Sequence, residues 1–423
     1  MAALRDHIYR LLRWSERYTK TDMVYLAAGG WWLNLASVTI SIFSLVLYIA
    51  FAHLLPKDVY GNYQYLLSIF AIAGTFTLSG MNSAVSQSVA RGYDGILKAS
   101  IGIQLRWGLI PLVGALVGAL YYALQGNYLL AGGFAIIGAL TPIINTYNTY
   151  VSFLIGKKDF YRVFLYNLLT NIPFYAALIL VSFFFKQALL LLAANLCVNA
   201  IMLVVLYRRT LNVYKPNDRV EEEALTYGKH LSVMGLFGAL VGQADNILVF
   251  HYLGAVDLAL YAFATAIPDR LANFFKFIPL TAMPKFSEKS DEEIRASLGP
   301  KLVKLTLAGL LGAGVYALLA LPFFRVFFPQ YETSVAYSML YAFTMLGVAG
   351  NVAVSALIAQ KHTRKLYIYN TAAPLAQLGL QFAGILFFGL WGLVGAKTLS
   401  TLLTSLFAVM LFMRQRAPSQ TDN

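Results

Sequence analysis

Six charged side chains fall in stretches of this chain that are otherwise apolar enough to cross a membrane. They are the carboxylates Asp245 and Asp269 and the cations Arg106, Arg270, Lys276 and Lys397. A charge at the centre of a bilayer costs about 2.5–3.5 kcal/mol even on lenient insertion scales, so such groups face protein or water and mark function by default. Thr265, Asp269, Asn273 and Lys276 follow at spacings of four, four and three, which places them on one face of a helix. Arg270 sits about 100° around that helix, next to Pro268, which can bend it and free a carbonyl. Four cations against two anions favour an anionic ligand. Arginine offers a planar fork suited to phosphate oxygens, and lysine a compact point charge. Arg270, Lys276, Arg106 and Lys397 are therefore the candidate residues for holding an anionic substrate. Three have a plainer alternative: Lys276 and Arg106 near the inner end, and Lys397 near the outer end, can snorkel to head groups. Asp269 can simply neutralise a neighbour.

Asp245 stands in "GALVGQADNILVFHYLG", residues 238–254, ten residues before a hairpin apex near 255. It is level with Thr265, one turn from Asp269 and Arg270, and at the depth of Lys397. An ion pair with a cation of the same half of the chain is the first reading. A protonatable site coupled to a proton or sodium ion is the second. Neutral polar groups, among them Asn82, Asn145, Asn171, Gln377 and Gln381, recur through the spans. Asparagine and glutamine serve as interhelical hydrogen bonds in bundles.

The elements that must position these groups are membrane helices. The 423 residues are 59% hydrophobic and only 12% charged, with a mean hydropathy of +0.65, whereas a soluble domain is about 25% charged. Runs of about 20 apolar residues span the hydrocarbon, and twelve are expected: 29–53, 60–86, 100–124, 127–152, 162–185, 187–207, 231–253, 257–283, 302–324, 334–358, 366–389 and 391–412. Of the 32 Lys and Arg, 25 fall at the ends and even-numbered connections and three (Lys57, Lys186 and Arg325) on the other side. That asymmetry puts both termini in the cytoplasm and accounts for the net charge of +13 without nucleic acid. The leader, 1–28, carries Leu4, Ile8, Leu11 and Leu12 on one face and arginines elsewhere, as a helix lying on the inner leaflet would. Cys197 is the sole cysteine, so no intramolecular disulfide forms.

The chain repeats. "HLLPKDVYGNY" from His53 aligns with "HYLGAVDLALY" from His251, and "VSFLIGKKDFYRVFLYN" from Val151 with "VSALIAQKHTRKLYIYN" from Val354. Both offsets shift the span count by six, so the halves share one orientation. The parallel repeat implies an N-terminal six-helix lobe (29–207), a cytoplasmic connector (208–230), a C-terminal six-helix lobe (231–413) and a tail (414–423). A binding site is expected between such halves.

"HLLPKDVYGNYQYLLSIFAIAGTFTLSGMNSAVSQSVAR" and "QADNILVFHYLGAVDLALYAFATAIPDRL" resemble the opening hairpin and the seventh and eighth spans of polysaccharide-unit flippases. These form the O-antigen-like branch of the multidrug/oligosaccharidyl-lipid/polysaccharide exporter superfamily. The resemblance implies an all-α fold of two six-helix lobes around a central cavity. It also implies movement of undecaprenyl-pyrophosphate-linked sugar units from the inner to the outer leaflet of the cytoplasmic membrane by alternating access. The head group would pair with Arg270 and Lys276, with membrane lipids, a polysaccharide polymerase and glycosyltransferases as further partners. Two positions depart from the family pattern: Asn246 stands where Arg is frequent, and Ala259 replaces the glycine of the second Gly-x-Tyr.

The rival reading within the superfamily is a cation-coupled multidrug or small-molecule exporter. Cationic cargo favours acidic cavity residues, and span 1 offers only Asn34. An enzyme, such as a membrane polymerase, would need a large outer loop, and the outer connections are about ten residues or fewer. The five histidines are scattered without metal-ligand spacing, and no Gly-x-x-x-x-Gly-Lys-Ser/Thr loop occurs. No cofactor is expected.

Overall fold

The computed structural model describes residues 23–275, 291–360 and 362–413. Most of the expected leader, Lys276 and the tail 414–423 lie outside these residues. In hydrocarbon every backbone N–H and C=O must be paired, and a helix does this within one segment. Accordingly, the described elements are all helical. They are α1 (Met23–Leu54), α2 (Lys57–Thr75), α3 (Met81–Ala90), α4 (Ile96–Trp107), α5 (Leu109–Leu124), α6 (Tyr128–Tyr147), α7 (Thr149–Gly156) and α8 (Phe160–Phe184). There follow α9 (Ala188–Tyr214), α10 (Glu222–Val241), α11 (Ala244–Tyr252), α12 (Ala255–Phe275), α13 (Asp291–Phe327), α14 (Val335–Ala342), α15 (Val348–Ala359) and α16 (Thr363–Met413), with 3₁₀ turns at Pro329–Ser334 and Phe343–Gly347.

Nine stretches among the described residues are long and apolar enough to cross a membrane, three fewer than the twelve expected. Three local features account for the difference. The stretch 60–86 is broken between α2 and α3, where Leu78 adopts φ 60°. The stretch 257–283 runs past the described end of α12. The last two spans fall within α16, which breaks at Gly389 with φ 57°. A Cβ on Gly384 would lie 2.4 Å from the Gly392 carbonyl oxygen, yet eight residues of straight helix are about 12 Å long. The chain therefore folds back at Gly389 as a helical hairpin.

The chain forms two compact units. The first comprises residues up to 54 and 66–239, and the second 55–65 and 240 onward. In the first, α5 packs on α6, α6 and α8 on α9, α1 on α8 and α3 on α7. In the second, α15 packs on α16 and α12 on α14. The small residues Ala349, Ala353 and Ala356 meet Phe412 and Leu298 in its core, which lets helices approach closely where lipid supplies no hydrophobic drive.

These units differ from the expected lobes, 29–207 and 231–413, in two places. Residues 55–65 belong to the second unit because their backbone and rings dock there. A Cβ on Gly61 would lie 1.7 Å from the Ala255 carbonyl oxygen, so only glycine fits. Tyr65 stacks on Phe250 at 3.8 Å, and Tyr60 lies 4.9 Å from Phe263. Conversely, most of α10 belongs to the first unit: the Gly80 N–H donates to Ser232 Oγ at 2.9 Å, and Gly228 abuts Met81. The non-helical part of the connector is short, 215–221. It is strapped to the first unit by Asn217 and Glu221. Asn217 accepts from the Asp94 N–H at 3.2 Å and donates to the Gly92 carbonyl at 3.0 Å. Glu221 lies 2.6 Å from Arg91 and accepts from Ser88 Oγ at 2.5 Å.

Candidate functional site

Four of the six intramembrane charges lie in the second unit among its described residues, and the fold pairs two of them directly. Asp245 is buried in the first turn of α11. Its Oδ1 accepts the Asn246 N–H at 2.9 Å, while Oδ2 accepts the Tyr261 hydroxyl at 2.7 Å and the Lys397 ammonium at 2.6 Å. The Asp245 and Lys397 side chains are 8% and 16% exposed. A buried carboxylate is tolerated only when paired and hydrogen-bonded, and three donors meet that need. The charge of Lys397, one of the four candidate anion-binding cations, is thus engaged by Asp245.

On α12, Asp269 is exposed and accepts from the Tyr341 hydroxyl of α14 at 2.9 Å. Arg270 is half-buried and donates through Nη1 to the Ala266 carbonyl, 2.6 Å away and one turn earlier. Thr265 also bonds its own helix, at the Ala262 carbonyl, 3.3 Å away. Pro268 is buried inside the helix. Asn273 belongs to α12 but its side chain lies outside the described residues, as does Lys276. The expected stripe is therefore described for Thr265 and Asp269, one turn apart on one helix. Arg106, in the last turn of α4, belongs to the first unit; it is exposed and pairs with no other described residue.

Two phenols, Tyr261 and Tyr341, anchor the carboxylates and were not among the sequence candidates. Tyr261 closes the second repeat of the motif in which Tyr63 closes the first, and that repetition was the available signal. Tyr341 carries no such mark. Among the amides, Asn145 and Asn171 donate to carbonyls four residues back, at 3.2 and 2.8 Å. Gln381 is fully buried, and its amide has no hydrogen-bond partner among the described residues.

Outside the spans, Asp159 caps α8. Burial pushes its carboxyl pKa up, but the Tyr214 hydroxyl, the Arg162 N–H and the Arg162 guanidinium outweigh that and hold it below the ordinary value. Glu221 is likewise held low by Ser88 and Arg91. Among the described residues, no cluster of three or more His, Cys, Asp or Glu could hold a metal.

Membrane-length helices without a strand among the described residues, in two compact units, define a polytopic membrane protein, and solved structures share this fold. An inward-facing multidrug resistance MATE family transporter of the MOP superfamily superposes with a TM-score of 0.66 at 14% identity, covering 88% of this chain and 93% of its own. The lipid II flippase MurJ, in an inward closed conformation, superposes at 0.65 and 14% identity, covering 89% and 86%. An outward-facing MATE transporter gives 0.54 at 14% identity, covering 89% and 93%. No curated protein sequence matches. The sequence itself matches the polysaccharide biosynthesis protein family over residues 26–290, more than half of the chain, and the protein belongs to that family.

Proposed function

We propose that this protein flips a lipid-linked oligosaccharide, carried on undecaprenyl pyrophosphate, from the inner to the outer leaflet of the cytoplasmic membrane. It would do so by alternating access, for export of a surface polysaccharide such as an O-antigen, capsule or exopolysaccharide. The observation that carries the reading is membership of a polysaccharide biosynthesis family on a fold that a lipid II flippase shares. The intramembrane cations agree with it. Lys397 is engaged by Asp245; Arg270, Lys276 and Arg106 are the other intramembrane cations, and the guanidinium of Arg270 has the fork geometry suited to phosphate. Both termini lie in the cytoplasm in this reading, and a polymerase and glycosyltransferases of the same route act beside it.

The test is translocation of a fluorescent lipid-linked oligosaccharide in proteoliposomes, read by quenching from outside. Wild-type protein should expose the label. Arg270→Gln should slow transfer about tenfold or more, as loss of a charged hydrogen-bonding partner costs about 1.5–3 kcal/mol, with unchanged protein level. Wild-type transfer no faster than in empty vesicles would sink the proposal. The MATE likeness favours a second reading, a cation-coupled multidrug exporter. Cells carrying the protein would then efflux cationic dyes, and their surface polysaccharide would not depend on it.

A further inference from the structure

The second unit holds an apolar groove that the binding chemistry above does not use. It encloses about 520 Å³, within the range of small-molecule sites, between α12, α13 and the 3₁₀ turn Phe343–Gly347. Its walls include Ile267 and Leu271 of α12, Ala308, Gly312 and Tyr316 of α13, and Met345 of the turn. Side chains four apart form ridges along a helix. On α13 the row Ala308–Gly312 is low and forms a floor, while the adjoining row through Leu311 and Leu319 stands up as a rim. Those two rim residues are 71% and 59% exposed, so the groove is open along that side. At its other edge α13 lies tight on the turn, since a Cβ on Gly309 would come within 2.9 Å of the Met345 carbonyl oxygen. The polar group in the lining, the Tyr316 hydroxyl, is bonded to Ser338 Oγ at 2.5 Å. Nothing in those walls asks for a polar ligand.

One helix joins this groove to the charged residues. At about 100° per residue, Ile267 and Leu271 face one side of α12, Thr265 and Asp269 face roughly the opposite side, and Arg270 lies between. A surface that sets an apolar slot beside a guanidinium is complementary to an amphiphile with an anionic phosphate and one long hydrocarbon chain. We propose that the groove seats the polyprenyl chain of the phosphate-linked carrier, with Arg270 at its phosphate end. The inference rests on the flippase reading and adds to it where the lipid tail travels.

A polyprenyl phosphate bearing a diazirine on its chain tests this with full-length protein in phosphatidylethanolamine vesicles. Illumination should label the α13 peptide around Ala308–Val315. Excess unlabelled polyprenyl phosphate should abolish the labelling, while equal phosphatidylglycerol should leave it. Ala308→Phe fills the floor from an exposed position and should cut labelling about tenfold, because affinity for an apolar chain follows the area it buries. Label spread evenly over the lipid-facing helices, or equal competition by phosphatidylglycerol, would overturn the proposal. Both of those results are read on wild-type protein, so a poorly folding variant does not blunt the test. Translocation in the same vesicles separates the two claims. Transfer by wild-type protein with labelling elsewhere removes the groove and keeps the flippase, whereas no transfer by wild-type protein removes both.

Discussion

At the scale of single residues, the controlling fact is that Asp245 spends its charge inside the unit. Lys397 and Tyr261 both bond its Oδ2 and the Asn246 N–H bonds its Oδ1, so each carboxylate oxygen has a donor. Removing one partner of a buried ion pair costs about 3–5 kcal/mol, whereas replacing both by neutral groups is often harmless. Lys397→Met should therefore lower the melting temperature in detergent sharply, and Asp245→Asn combined with Lys397→Met should recover most of the loss. A double variant no better than the single one would mean that the pair does not act as a unit. The need for a partner was legible in the sequence, because a lone intramembrane carboxylate must find a cation, and spacing put Lys397 at its depth. The phenols were not. A tyrosine in an apolar span is indistinguishable from packing until its hydroxyl is seen to reach Asp245 or, from Tyr341, Asp269.

Among the elements, hydropathy located most spans, since length and apolar content are what a bilayer demands. The break between α2 and α3 was not legible, because it turns on Leu78 at φ 60°, a residue type with no preference for that conformation. Nor was the strap 215–221, whose polar residues read as an ordinary linker. The Asn217 part of its hold on the first unit is neutral, but the Glu221–Arg91 contact is electrostatic and so depends on pH. Glu221 has a carboxyl pKa lowered by Ser88 and Arg91. A carboxylate whose pKa falls on folding adds stability above its unfolded value and loses it as pH drops through the folded one. Wild-type melting temperature should thus decline from neutral pH to below the ordinary glutamate range, and Glu221→Gln should start lower and decline less. Parallel pH curves for the two proteins would show that the contact contributes nothing.

For the whole molecule, two aligned segments point to a duplication, but the partition into units was not legible. Sequence offers a connector as the natural cut, whereas packing assigns 55–65 to the second unit and 222–239 to the first. Each unit therefore needs a piece encoded on the far side of the connector. A chain divided between Asn217 and Asp218 should accumulate only when both fragments are made together. Either fragment expressed alone should be degraded, as immunoblots of membranes would show. Stable accumulation of the 1–217 fragment alone would contradict the assignment of α10 to the first unit.

The docking of Gly61 and Tyr60 against Ala255 and Phe263 also sets a schedule for synthesis. About 190 residues separate the segment from its seat, so at roughly 5–20 residues per second it waits about 10–40 s after emerging from the ribosome. During that interval Tyr60, Tyr63 and Tyr65, all buried at the end, lack the seat formed by Phe250, Ala255 and Phe263. Slowing translation between the two segments would lengthen the exposure, which makes that window the point where nascent chains are most open to proteolysis.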